Sequence, residues 1–156
     1  MRIEPVAYDH PDAKRLIDEL QQEYVVRYGE EDLTPVDPAE FRSPGGLFLL
    51  GYVDARAVAS GGWRTQDGDG PGFRDGDAEL KRMYIAPDAR GNGLARRMLA
   101  ELENTAALAG RKRIVLETGI RQPEAIGLYA SSGYTEIEKF GVYRDDPLSR
   151  CFGKDL

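Results

Sequence analysis

The sequence predicts an α+β domain built around one mixed β-sheet, and three observations support this prediction. Short apolar runs of strand length alternate along the chain with segments whose apolar residues recur at helical spacing. Gly and Pro residues separate these segments, as expected at turns and helix ends. The chain has 156 residues, of which 41% are hydrophobic, so residues 1–156 are expected to form a single domain with one core.

The N-terminal segment is predicted to form a strand followed by a long helix. Residues 2–8 alternate as in a strand, and Asp9 or Asp12 can cap a helix that runs to about Tyr28. The apolar face of this helix consists of Leu16, Ile17, Leu20 and Tyr24. His10 lies between the two acids, so we expect it to be a solvated residue of the helix cap.

The middle of the chain is predicted to form a hairpin and a third strand. A turn and a short helix at residues 38–41 precede the hairpin, whose strands flank the turn signal at Asp54. The stretch 65–72 is rich in Gly and Asp and predicts a long loop. The strand after it alternates imperfectly and stops at Pro87, which predicts a bulge. The three strands are expected at residues 46–53, 56–63 and 78–85.

The last third is predicted to contain two helices and three strands. A helix from Gly91 to about Ala109 has a buried stripe of Ala95, Met98, Leu99, Leu102 and Ala106. Pro123 opens a shorter helix that Gly133 closes. Strands are expected at residues 113–118, 134–140 and 149–155, which brings the total to six or seven strands and about four helices.

Charge and composition exclude several classes of protein. The net charge of −6 argues against a general nucleic-acid-binding protein, which needs a basic face. Residues 81–113 are the exception, with eight Lys and Arg residues against three acids. This local basic segment indicates either a discrete anionic ligand or a solvated helix face.

Cysteine and histidine are too scarce for several kinds of site. Cys151 and His10 are the single residues of their types, so neither an intramolecular disulfide nor a Cys/His zinc site can form, and no metal site is predicted. Cys151 is expected to be a small core residue. Because no stretch is apolar enough for a membrane span or a signal peptide, we expect a cytoplasmic protein without a membrane partner.

The most specific motif is the turn at residues 85–95, where a strand ends and a long helix begins. Gly91 and Gly93 let the backbone approach a ligand closely, and the helix N-terminus adds exposed N–H groups and a positive dipole end. The turn lacks the Lys-Ser/Thr ending of an ATP-binding P-loop, and Arg96 occupies the third glycine position of a dinucleotide fingerprint. The motif therefore indicates either an anion cradle or a simple packing turn.

Two motifs resemble those of the GNAT superfamily of acyl-CoA N-acyltransferases. Arg90, Gly93 and Ala95 fit the Arg/Gln-x-x-Gly-x-Gly/Ala signature, and residues 125–134 resemble the Ala-Ile-x-Leu-Tyr-x-x-x-Gly-Phe segment of that family. The resemblance implies the GNAT fold, a mixed and mostly antiparallel sheet of six to seven strands with about four helices. It covers nearly the whole chain and is strongest from Glu79 to Tyr134.

The resemblance implies a site for acetyl-CoA as cosubstrate. The N–H groups of residues 90–95 would hold the pyrophosphate, and the pantetheine arm would pair along the strand at residues 83–85. A bulge near Arg82 would direct a backbone N–H toward the thioester oxygen. Gln122 stands where the family often has Asn, and its amide offers the same donors on a longer stem. The implied cofactor-binding residues are Met83, Tyr84, Ile85, Arg90, Gly91, Asn92, Gly93, Leu94, Ala95 and Gln122.

The resemblance also implies two catalytic residues. Tyr129 would protonate the departing thiolate, although its helical spacing also fits a packing residue. Glu79 would accept the proton of the attacking amine, directly or through water; the alternative is a solvated surface charge. Glu117, at the end of the neighbouring strand, is the second candidate for this base. Either carboxylate would need burial or a water chain to act as a base toward an amine.

The function implied is direct transfer of an acetyl group from acetyl-CoA to a primary amine of a small molecule or an amino-acid-like acceptor. Three alternatives remain open: a non-catalytic acyl-CoA-binding or sensing module, an acetyltransferase of protein N-termini or lysines, and an anion-binding regulatory domain. The family also implies pairing through terminal strands, so a homodimer is an expectation.

Overall fold

The computed structural model describes residues 1–68 and 70–156. Asp69, which falls in the loop predicted at residues 65–72, lies outside the described residues. No helix in these two described ranges is long and apolar enough to cross a membrane.

Seven strands form one sheet in the order β1-β2-β3-β4-β5-β7-β6. Adjacent strands in this order are antiparallel except for β4 and β5, which run parallel. The mixed, mostly antiparallel sheet predicted from the sequence is therefore confirmed. The strands are β1 (Arg2–Pro5), β2 (Gly46–Val53), β3 (Arg56–Gln66), β4 (Asp77–Ile85), β5 (Arg113–Gly119), β6 (Thr135–Glu136) and β7 (Ser149–Asp155).

Three α-helices flank the sheet in the described ranges, so the expected number of about four is too high. They are α1 (Pro11–Tyr28), α2 (Leu94–Leu108) and α3 (Pro123–Ser131). The predicted short helix is a 3₁₀ turn, Pro38–Phe41. Asp37 and Glu40 form a capping box that starts this turn, but Arg42 is already extended and Pro44 follows closely, so it cannot grow into an α-helix.

Strand β6 is also shorter than the predicted strand at residues 134–140. The N–H of Ile137 makes a last hydrogen bond of 2.9 Å to the Cys151 carbonyl, and the chain then leaves the sheet edge. Phe140 turns inward and packs with Val115, Cys151 and Phe73. Burial of this apolar cluster competes with continued strand pairing and ends the strand.

The helix ends follow local backbone chemistry. His10 is the N-cap of α1, and its Nδ1 accepts a hydrogen bond of 3.0 Å from the Asp12 N–H. The side chain that caps this helix is therefore His10, not Asp9 or Asp12. Helix α2 starts at Leu94, three residues later than predicted, because Gly91 and Gly93 both have positive φ.

Two separate apolar clusters lie between the sheet and the helices. Helices α2 and α3 pack on Leu80 and Ile114 in the larger cluster, whereas α1 packs on Phe48 and Leu50 in the second. Cys151 is fully buried, as predicted, and burial raises the pKa of its thiol to about 11. A nucleophilic thiolate is therefore disfavoured at this position.

Candidate active site

The sheet splits between its two parallel strands. Strands β4 and β5 pair only over Asp77–Glu79 and Arg113–Val115. Beyond these residues, β4 continues to Ile85 and β5 to Gly119 without pairing to each other. The facing edges thus offer main-chain groups that no neighbouring strand in the described part of the chain satisfies, which suits an extended ligand pairing as an added strand.

A bulge in β4 sits beside the split. Arg82 has φ = +60°, and the pairing with β3 shifts register between Ser60 and Gly62. The Ser60 hydroxyl donates a hydrogen bond of 2.9 Å to the Arg82 carbonyl. The bulge predicted from imperfect alternation is therefore confirmed.

The bulge directs two consecutive cationic side chains, Lys81 and Arg82, to the same carboxylate, Asp32. The Lys81 ammonium lies 2.9 Å from Asp32, and the Arg82 guanidinium lies 2.8 Å from the same carboxylate oxygen. Burial alone would raise the pKa of Asp32, but these two charges outweigh it and hold the pKa well below its usual range. A left-handed backbone at a non-Gly residue costs roughly 1–2 kcal/mol, which this buried ionic cluster offsets.

The turn before α2 presents free backbone donors. Gly91 and Gly93 have φ of +83° and +74°, and a Cβ added at either would meet nothing within 4 Å. No acceptor in the described residues takes a hydrogen bond from the N–H groups of residues 91–96. The Arg90 N–H differs, because it donates weakly to the Pro87 carbonyl at 3.4 Å. The open cradle therefore begins at Gly91 and not at Arg90.

The Arg90 side chain braces the strand that leads into this cradle. Its Nε donates to the Ile85 carbonyl at 2.9 Å, and its guanidinium pairs with Glu23 of α1 and lies 5.5 Å from the Tyr84 ring centroid. Asn92 is exposed, with weak amide contacts at 3.4 Å to backbone carbonyls of the same turn. The cradle is thus built from main-chain donors, and the arginine fixes its position.

Tyr129 lies on α3 in the larger apolar cluster. Its ring packs edge to face on Tyr134 with centroids 5.6 Å apart, and burial raises the pKa of its hydroxyl. Tyr24 of α1 lies close enough to interact, because Tyr129 raises its pKa, after the larger effects of burial and Asp32. The Tyr129 hydroxyl has no hydrogen-bond partner within residues 1–68 and 70–156, so its proton is available to a ligand.

Glu79 is held by a buried ion pair. Its Oε1 accepts hydrogen bonds of 2.9 Å from Arg64 Nε and 3.0 Å from Gln66, and the Arg64 and Glu79 side chains are each 5% exposed. It belongs to the still-paired part of β4, opposite Val115, before the sheet splits. The surface-charge alternative is wrong for this residue, and its carboxylate already has partners.

Glu117 has the opposite surroundings. It follows the last residues of β5 that pair with β4, and its Oε2 is buried with no hydrogen-bond partner in the described chain. Burial is the main cause that raises its pKa to about 7, with smaller contributions from Asp32, Glu79 and Asp146. The Lys81 charge acts in the opposite direction. A carboxylate with this pKa is half ionised at neutral pH and can exchange a proton with a ligand.

Glu117 lines a cleft of about 130 Å³ at the open end of the split. Gln122 also lines it as the N-cap of α3, and its Oε1 accepts a hydrogen bond of 3.2 Å from the Tyr28 hydroxyl. The walls come from the end of α1, the segment after it, the end of β5 and the segment before β7. The lining residues are Tyr24, Tyr28, Glu30, Glu31, Asp32, Glu117, Thr118, Gly119, Gln122, Tyr143, Asp146, Leu148 and Ser149.

Sequence reasoning predicted part of this cleft. It identified Gln122 and, as second choice, Glu117, and the family resemblance also implies that the segment 143–152 borders the acceptor pocket. Tyr143, Asp146, Leu148 and Ser149 of that segment line the cleft. The tyrosines of α1 and the acids after this helix were missed, although the acidic run Glu30-Glu31-Asp32 directly after the helix stop at Gly29 was a usable signal.

Comparison with known proteins agrees with this geometry. The model of the Acetyltransferase (GNAT) family matches residues 13–134. The IAA acetyltransferase of Azospirillum brasilense is 33% identical over 142 residues, which cover 91% of this chain and 89% of that protein. A Klebsiella pneumoniae protein assigned as an acyl-CoA N-acyltransferase has a solved structure with 31% identity and a TM-score of 0.78, covering 99% of this chain and 97% of that one.

The split sheet and its open cradle are thus those of an acyltransferase. The chain belongs to the GNAT acetyltransferase family. The same fold occurs in the PaiA N-acetyltransferase of Thermoplasma acidophilum, solved in complex with coenzyme A, at 15% identity, a TM-score of 0.72 and full coverage of both chains.

Proposed function

We propose that the protein transfers the acetyl group of acetyl-CoA directly to a primary amine of a small-molecule or amino-acid-like acceptor. The observation that carries this proposal is the split, where an open cradle of N–H donors follows β4 and a cleft with an unpartnered carboxylate lies beside β5. A thioester-bearing ligand bound along the split would have its two ends matched by these two environments.

The residues of the cradle fit a pyrophosphate. Donors from Gly91 to Arg96 are free, the space above Gly91 and Gly93 is open, and the helix dipole favours an anion there. The unpaired edge of β4 at Met83–Ile85 suits the amide groups of a pantetheine arm. When bound, acetyl-CoA would supply the activated acetyl group.

Glu117 is proposed as the base that accepts the proton of the attacking amine. An ammonium has no lone pair, so a base must take its proton before the new C–N bond forms. Glu79, the first choice from sequence, has its Oε1 occupied by Arg64 and Gln66, whereas Glu117 Oε2 has no partner in the described ranges. The pKa near 7 lets Glu117 accept a proton at neutral pH and release it to solvent.

Tyr129 is proposed to serve the departing sulfur. As the C–N bond forms and the C–S bond breaks, the sulfur gains negative charge that a hydrogen-bond donor stabilises. Burial raises the pKa of Tyr129, so the hydroxyl keeps its proton at neutral pH and can donate it. Gln122 offers its amide N–H groups at the mouth of the same split, where the cofactor contact was predicted.

A direct test is calorimetric titration of the protein with acetyl-CoA, followed by a thiol-release assay with amines, amino acids and peptides. We expect binding that excess ATP does not displace, and release of one thiol per acetylated amine. Binding without release from any acceptor would favour the acyl-CoA-sensing alternative. Absence of binding, or tighter binding of ATP, would overturn the proposal.

A further inference from the structure

The cleft at the end of the split is strongly acidic. Five of its lining residues are carboxylates, and no Lys, Arg or His in the described part of the chain lines it. Asp32 is neutralised by Lys81 and Arg82, but Glu30, Glu31 and Asp146 form no ion pair with any described residue. We refer to these three residues as the acidic rim.

Unsatisfied polar atoms provide a second, independent sign of a ligand. The Ser149 side chain lines the cleft, the residue is 5% exposed, and its Oγ has no hydrogen-bond partner among the described residues. Glu117 Oε2, on the same lining, is likewise buried and unpartnered. Buried polar atoms are normally paired, so a donor-bearing ligand is expected to complete both.

The lining also contains aromatic surface. Tyr24, Tyr28 and Tyr143 contribute to the walls, and ring faces attract cations as well as apolar chains. The Tyr143 hydroxyl accepts a hydrogen bond of 2.7 Å from the Leu33 N–H, which fixes the segment that carries Glu30 and Glu31. The cleft therefore combines an apolar interior with an anionic border.

We propose that the acceptor is a small dicationic amine, such as an α,ω-diamine, whose second ammonium binds the acidic rim while its reacting amine lies at Glu117. This inference rests on the proposed function. An amino acid is disfavoured, because its carboxylate would meet uncompensated acids. The volume of about 130 Å³ is close to that of a cavity that holds benzene, which suits a chain of four or five carbons.

A divalent metal ion is a poorer occupant than an ammonium group. No three acidic, His or Cys side chains within residues 1–68 and 70–156 converge as metal ligands. The carboxylates instead come from separate walls, with Glu117 on β5, Glu30 and Glu31 after α1, and Asp146 before β7. This arrangement suits two cationic groups joined by an apolar chain.

The test compares three acceptors of similar length that differ at the far end. These are 1,4-diaminobutane, 1-aminopentane and 4-aminobutanoate, which carry a cation, a methyl group and an anion there. We expect kcat/KM to be about tenfold higher for the diamine than for 1-aminopentane, and lowest for 4-aminobutanoate. Calorimetry with CoA present should show the same order of affinities, independent of turnover, and the preference should decrease at high salt.

Variants of the rim connect the preference to these residues. In Glu30→Gln/Glu31→Gln/Asp146→Asn, the ratio of diamine to 1-aminopentane kcat/KM should fall toward one. Asn keeps an oxygen for the 2.8 Å hydrogen bond that Asp146 Oδ1 accepts from Leu148. Asp145→Asn removes a neighbouring exposed charge outside the cleft, and it should leave the ratio unchanged.

The outcomes separate this inference from the proposed function. Equal or better use of 1-aminopentane, 4-aminobutanoate or a lysine peptide would overturn the dicationic acceptor and leave acetyl transfer intact. A diamine preference that persists in the triple variant would overturn the assignment to the rim. Failure of acetyl-CoA to bind, or of any amine to release thiol, would overturn both.

Discussion

Two regions beside the split are built in different ways. At the start of α2, neutral backbone N–H groups on a Gly-containing turn form an open cradle within one short stretch of chain. At the cleft, charged and aromatic side chains converge from four separate segments. Main-chain donors persist when side chains change, whereas the cleft changes with each substitution. Under the proposed function, cofactor recognition would therefore be the constant part and acceptor recognition the variable part.

The largest expected effect falls on the cleft side. Glu117→Gln should lower kcat/KM by about 10³-fold, because positioned bases contribute roughly 10²–10⁴-fold. The wild-type profile of kcat/KM against pH should show an acid-side step near 7 that the variant lacks. Burial sets this step, and the charges of Lys81, Asp32, Glu79 and Asp146 modify it. An unchanged profile would remove Glu117 as the base.

The same variant has a consequence for stability. The pKa of Glu117 is about 7 in the fold against 4.5 ordinarily, so folding takes up a proton between these values and the cost of burying the charge is complete above pH 7. Glu117→Gln should therefore raise the free energy of unfolding at pH 8, by on the order of 2–3 kcal/mol, and change it little at pH 4. Urea denaturation at both pH values measures this difference.

Glu79 is expected to have a structural role, in contrast to the catalytic role proposed for Glu117. Glu79→Ala removes the buried partner of Arg64, which keeps its ion pair of 3.0 Å with Glu40, and should lower stability by about 2 kcal/mol, measured by thermal or urea unfolding. Glu79→Gln keeps an acceptor for Arg64 and Gln66 and should retain the acid-side step near pH 7. Loss of that step in Glu79→Gln, with a normal fold, would return the role of base to Glu79.

On the cradle side, Gly93→Glu should weaken acetyl-CoA binding by about 10²-fold or more. The new carboxylate would enter the open space where the pyrophosphate is proposed to lie, and the L side chain adds backbone strain of about 1–2 kcal/mol. Gly110→Glu is the matched control, because Gly110 has φ = +85° and equally open space at the other end of α2. Calorimetry should show normal affinity in the control; similar losses in both variants would mean that the cradle is elsewhere.

The smallest expected effect concerns Tyr129, the buried tyrosine of α3. Tyr129→Phe keeps the ring that packs on Tyr134 and removes the proton donor, so kcat should fall by about 10- to 50-fold with little change in acetyl-CoA affinity. Single-turnover thiol release measures the chemical step. An unchanged rate would identify Tyr129 as a packing residue only.

The cradle could be predicted from the sequence because it is local. A strand, two glycines and a helix within residues 85–95 determine its backbone, and the bulge at Arg82 was visible as a break in alternation. The helix start was placed too early, since positive φ at Gly93 holds the chain outside the helix. Local sequence thus predicted that helix α2 exists but not the residue at which it begins.

Less of the cleft could be predicted, because its walls come from segments that are distant in sequence. The sequence does not predict that Glu79 and Arg64, on two neighbouring strands, form an ion pair. The Glu79 carboxylate was therefore expected to be free, whereas in the fold it accepts a hydrogen bond from Arg64. Glu117 gains its raised pKa from burial by segments far from it along the chain. Tertiary packing thus determines that Glu117, and not Glu79, keeps a carboxylate oxygen without a hydrogen-bond partner in the described residues.

The ion cluster at Asp32 has a consequence for how acceptor preference can evolve. Asp32 forms ion pairs with Lys81 and Arg82 of β4, whereas its neighbours Glu30 and Glu31 are exposed and form no ion pair with any described residue. Under the proposed role of the acidic rim, substitutions at these two exposed positions would change the acceptor without disturbing the bulge. A new acceptor could then be acquired through two substitutions, with the strand proposed to bind the cofactor unchanged.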